Sequence, residues 1–70
     1  MKNIGIVADN YKVARFEKEL NSAGYAVEKT AAPKETTLMK VWCSNDEYET
    51  VKKKIHSICI KVEAHFKRSN

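Results

Sequence analysis

Asp9-Asn10-Tyr11-Lys12, with Arg15 one helical turn further on, is the segment of this sequence best equipped to hold a ligand. It lies between a β-type run and a helical one, where free backbone amides and the helix dipole favour an anion. Lys12 and Arg15 are placed to meet a phosphate, and Asn10 to orient polar edges. Tyr11 falls away from the apolar face of the following helix, which frees its ring for stacking. A plainer use of the segment is structural. Asp9 or Asn10 can cap the helix through a short side-chain oxygen, and a capping carboxylate competes with a bound anion.

A second group of cations lies near the end of the chain. Lys54, Ser57, Lys61, His65 and Arg68 fall within about a quarter turn of one another on the 3.6-residue period. Such a stripe either tracks phosphates or is an ordinary solvated face, cations near a helix C-terminus being favoured by the dipole. His56-x-x-Cys59, with Cys43 and His65, has metal-ligand spacing on paper. His56 and His65 are nine residues apart, however, on nearly opposite helix faces, and Cys59 lies on the core side. No convergent metal site is expected from that set, and both cysteines read as small buried hydrophobes. Catalysis is not expected either: there is no Gly-rich phosphate loop, no nucleophile–base pair at a known spacing and no carboxylate cluster. No cofactor is implied.

The elements that must position these residues follow from periodicity. Asn3 to Ala8 is a short run rich in β-branched residues, hence a buried strand. Val13, Phe16, Leu20 and Ala23 then recur at helical spacing, and Gly24 closes the helix where a left-handed backbone costs little. Tyr25 to Thr30 reads as a second strand, and Ala31 to Glu35, with the only proline, as a loop. Thr36 to Cys43 forms a third strand with Met39, Val41 and Cys43 on one face and Leu38, Lys40 and Trp42 on the other. Ser44 and Glu47 have capping-box spacing, each side chain set to satisfy the other's free amide. A helix then runs to Lys67, with Tyr48, Val51, Ile55, Ile58, Cys59, Val62 and Phe66 on its apolar side. At 1.5 Å per residue it would be about 35 Å long, more than the sheet it covers.

The order β-α-β-β-α defines one α+β domain over residues 1–70, a ferredoxin-like plan without its last strand, with two helices on one face of a three-stranded, antiparallel-containing sheet. In that plan the third strand begins beside the end of the first, and the second helix returns to the same end. Thr36, Thr37 and the tail from His65 to Asn70 therefore belong near Asp9–Lys12. The first strand is left as an open edge, and Leu38 and Trp42 lie on a face that no helix covers. Ile60 points away from the core of the second helix beside Ser57 and Ala64, a flank suited to helix–helix packing between subunits. These features predict a homo-oligomer with Leu38, Trp42, Ile60 and Ala64 at its contacts.

Composition agrees with a small self-supporting domain. Of the 70 residues 43% are hydrophobic, enough for a core, though a chain this short gains from a partner subunit. Two cysteines, no signal-peptide pattern and no apolar run of about 20 residues predict a cytoplasmic protein away from the membrane. The formal charge of +4 divides as +1 over residues 1–24, +1 over 25–44 and +2 over 45–70, an even spread that demands no anionic partner. The sheet also lacks the paired aromatics on which an RNA-binding sheet stacks bases.

Gly5 to Lys12 and His65 to Asn70 resemble the corresponding segments of short bacteriophage and mobile-element proteins. That resemblance implies a binder that blunts a host system, by docking on a host protein or by sequestering a small signal. A fold-level likeness to small ferredoxin-like regulatory modules implies ligands held at subunit interfaces. Together these readings predict a non-catalytic, self-associating binder of a small anionic, nucleotide-like ligand. Tyr11 stacks, Lys12, Arg15 and Arg68 meet phosphate, and Asn10 and Thr37 orient polar edges, with Asp9 and His65 also among the ligand-binding residues. The alternatives are an inhibitor or adaptor of a host protein that uses the open edge and the Trp42 face, and nucleic-acid binding along the basic stripe.

Overall fold

A computed structural model describes residues 1–68, the side chain of Arg68 excepted. The elements are β1 (Lys2–Asp9), α1 (Asn10–Ser22), β2 (Val27–Ala32), β3 (Thr36–Cys43) and α2 (Tyr48–Arg68). The sheet order is β1-β3-β2, and both pairings are antiparallel. This is the α+β layout that the periodicities require, consistent with a ferredoxin-like fold lacking its fourth strand. The inserted position of β3 sets Asp9 opposite Thr36, so the end of β1 and the start of β3 meet at one edge.

One face of the sheet carries the core. Ile6 and Ala8 of β1 and Met39, Val41 and Cys43 of β3 alternate inward, and α1 adds Phe16 and Leu20 while α2 adds Val51, Ile55 and Val62. Leu20, Met39, Val41 and Val62 are completely shielded from solvent. The other face is uncovered. Gly5, Val7, Leu38, Lys40 and Trp42 lie on it, with Val7 66% and Trp42 46% exposed. Leu38 leans over Gly5, where an added Cβ would stand 3.4 Å from its Cδ1. A glycine there lets Leu38 lie flat on the sheet.

Local chemistry explains most of the boundaries. α1 ends at Gly24, whose φ of 91° is cheap only for glycine, and Tyr25 N donates to Leu20 O across the last turn. Tyr25 is drawn onto the core beside α1, so β2 starts two residues later than alternation alone predicts, at Val27. Neither expected N-terminal cap forms as anticipated. Asp9 makes no side-chain cap bond at α1. Ser44 Oγ donates to Glu47 Oε1 at 3.0 Å, so this pair joins side chain to side chain instead of closing on each other's amides. A turn over residues 45–47 separates them from α2 and moves the first helical residue to Tyr48.

Candidate functional site

The fold brings the α1 start, the β2–β3 turn and the far end of α2 to one edge. Asn10 is the hub. Its backbone N–H donates to Glu35 O at 3.0 Å. Its side-chain amide, with the nitrogen facing the turn, donates to Thr37 Oγ1 at 2.7 Å and to Glu35 O and Thr36 O at 3.3 Å. Asn10 and Thr37 thus tie helix to turn, and the amide is occupied by the protein itself. The polar-edge role expected of this pair is structural in the geometry seen.

The turn it holds is unusual. Lys34 and Glu35 both sit at positive φ, 60° and 58°. Two consecutive left-handed residues suit a tight hairpin and favour Asn-Gly, because a Cβ crowds the following carbonyl. Here two long charged side chains occupy the positions. Asp9, Asn10, Tyr11, Lys34 and Glu35 line an open depression of about 500 Å³ between the turn and α1. No sequence signal singles out Lys34 and Glu35, since the pairing of β2 with β3 is what carries the loop tip back to the helix start.

Two cations of the α1 start, Lys12 and Arg15, already have acidic partners. Lys12 Nζ donates to both oxygens of Glu63 at 3.0 and 2.9 Å and lies 4.0 Å from Asp9. Hydrogen bonding to Glu63 holds the Lys12 ammonium above its ordinary pKa of 10.5. Its amine also sits over Tyr11, 5.5 Å from the ring centroid. Arg15 turns away toward Glu19 at 3.8 Å, and its Nε is buried without a hydrogen-bond partner. Arg15 therefore stands apart from the Asp9–Tyr11 depression, contrary to the placement read from helical spacing, because its (i, i+4) partner on α1 claims it.

Tyr11 keeps its ring 68% exposed while its edge meets Phe66 in a T-shaped contact, centroids 5.4 Å apart. His65 packs on the other side of Phe66 at 5.2 Å. The α2 end does reach the α1 start, as the topology requires. Arg68 belongs to that end of the helix, but its side chain lies outside the described residues. Among the described residues no three His, Cys, Asp or Glu gather to hold a metal, and no helix is long and apolar enough to cross a membrane. Both cysteines are free, Cys43 buried and Cys59 half-buried. Compared with known protein families, curated proteins and solved structures, the chain gives no match.

Proposed function

We propose that this chain is a small non-catalytic binding protein that self-associates through the open face of its sheet. The observation that carries the reading is the exposed Val7 and Trp42, toward opposite ends of a face that neither helix covers, with Leu38 paired beside Val7 and Lys40 lying between them and Trp42. With ten buried hydrophobic residues among the described residues, the domain has little core to spare, so covering that face is a substantial gain. Glu28 and Lys40, paired across β2 and β3 on the same face, supply both signs of charge for a self-complementary contact.

The same protein takes a small nucleotide-like ligand beside Tyr11. Support for this comes from the exposed ring over a depression that also presents Lys34. Lys12, its side chain only 13% exposed, comes within reach once the more exposed Glu63 (58%) swings aside for a phosphate that takes its place. Following the resemblance to bacteriophage proteins, the ligand or the docked partner would belong to a host system.

Native mass spectrometry of the freshly purified protein tests both parts. The expected spectrum is an oligomer carrying added mass in the nucleotide range. Trp42→Lys with Val7→Lys should give a monomer, and Tyr11→Ala should shed the added mass while leaving the oligomer. A bare wild-type oligomer in the presence of mixed nucleotides removes the ligand. A bare monomer removes self-association and leaves the open face to a host protein.

A further inference from the structure

The +4 charge looks evenly spread when the chain is cut into thirds, yet the fold collects all of it on one element. Six of the thirteen Lys and Arg lie on α2, namely Lys52, Lys53, Lys54, Lys61, Lys67 and Arg68, against two acids, Glu49 and Glu63. The remaining residues balance at seven bases and seven acids. Glu63 is itself turned to Lys12 on α1, so it does little to offset the lysines of α2. From these positions we infer that the outward face of α2 binds the phosphate backbone of nucleic acid without reading its sequence.

The geometry favours a polymer over a small anion. Lys53, Lys54, Lys61 and Lys67 are all exposed, Lys53 and Lys67 on the side of the helix opposite Val51, Ile55 and Val62, with Glu49 near them, and Lys54 and Lys61 along its flank. Along the axis they are spaced by about 10 Å at 1.5 Å per residue, too far for one phosphate to meet two groups of them. The 21-residue helix is about 31 Å long and runs past roughly nine phosphates of one duplex strand at 3.4 Å each. A row of phosphates offers partners at each of these levels, and the long lysine side chains span the fan of angles between them. Lys61 also lies 3.4 Å from Glu19, but two-thirds of its side chain is exposed and can turn to a phosphate.

Nucleic acid fits this face better than a protein surface does. Lysine is depleted in protein–protein interfaces, which rest on aromatic and arginine anchors in dry pockets. The face offers one large exposed apolar side chain, Ile60, beside the small Ala64, and no aromatic. A membrane surface is a poorer fit, because the apolar side of α2 is spent on the core. The charged groups of this face are lysines, which meet phosphates as point charges, so the inferred binding rests on released counterions.

The test is fluorescence anisotropy of the full chain with a labelled mixed-sequence duplex, titrated across salt. Four phosphates met predict a log–log slope of about −3.6, hence about a hundredfold loss of affinity between 50 and 200 mM salt. Lys53→Gln with Lys54→Gln should halve the slope to about −1.8. Lys18→Gln with Lys29→Gln, equal in charge but off α2, should leave it unchanged. Circular dichroism confirms that each exposed variant is folded. No binding at 50 mM salt overturns the proposal, as does equal loss from the two double variants. Equal competition by polyglutamate also overturns it and assigns the face to acidic proteins.

Discussion

Replacing Lys34-Glu35 by Asn-Gly should make this protein more stable, a result that contact-based reasoning does not supply. Both residues lie in the left-handed region, at φ of 60° and 58°. That conformation costs an ordinary residue about 1–2 kcal/mol. Glycine at position 35 removes the steric cost and returns about 0.5–1 kcal/mol of it through its freer unfolded state. Asparagine at position 34 removes a smaller part. The double variant should therefore gain about 1 kcal/mol, which for a domain of this size raises Tm by about 4–8 °C. Neither side chain is buried, and the bonds from Asn10 go to the Glu35 and Thr36 backbone carbonyls, so the tie between turn and helix survives. Thermal unfolding followed by circular dichroism reads the shift directly. A Tm equal to or below wild type, in a variant with an unchanged spectrum, refutes the view that this turn is strained. The two single variants also separate stability from binding. Both should stabilise the fold, and if the proposed nucleotide-like ligand binds beside Tyr11, Glu35→Gly should retain it whereas Lys34→Asn should weaken it.

Two further predictions address the core and the thiols. Leu20→Ala empties a position with no exposure, at a cost of about 2–5 kcal/mol, and should lower Tm by 10 °C or more on the same scale. Trp42→Ala on the open face should leave the Tm of a monomeric sample nearly unchanged, which separates core from surface. Burial, with a smaller contribution from the Glu63 charge, pushes the Cys59 thiol above its usual 9.0. A raised thiol pKa leaves less thiolate at any given pH below it, so alkylation of Cys59 in a Cys43→Ser background should be slower in the folded protein than in denaturant throughout the neutral range. Equal rates before and after denaturation would show that Cys59 is not shielded.

The one-dimensional pattern determined much of the architecture. Alternation at Met39, Val41 and Cys43 and helical spacing at Phe16, Leu20, Val51, Ile55 and Val62 each name a single buried face, because strand and helix periods admit no other. Gly24 marked its own turn for the same local reason, since few other residues take that backbone cheaply. The strand order followed once five elements of these lengths were placed in sequence, and with it the approach of the α2 end to the start of α1. Pairing between long side chains was not legible. Lys12 with Glu63 is separated by 51 residues, and nothing near either one in the chain announces the other. Arg15 could have been read toward Glu19, its (i, i+4) neighbour, had that pair been weighed against a ligand. The paired positive φ values at Lys34 and Glu35 carry no glycine or asparagine to betray them, and only the register of β2 against β3 imposes them. Charge shows the division most plainly. Its sum is a property of composition and its concentration on the last helix follows from the span that periodicity gives, but that Glu63 is turned away to Lys12 is decided in three dimensions.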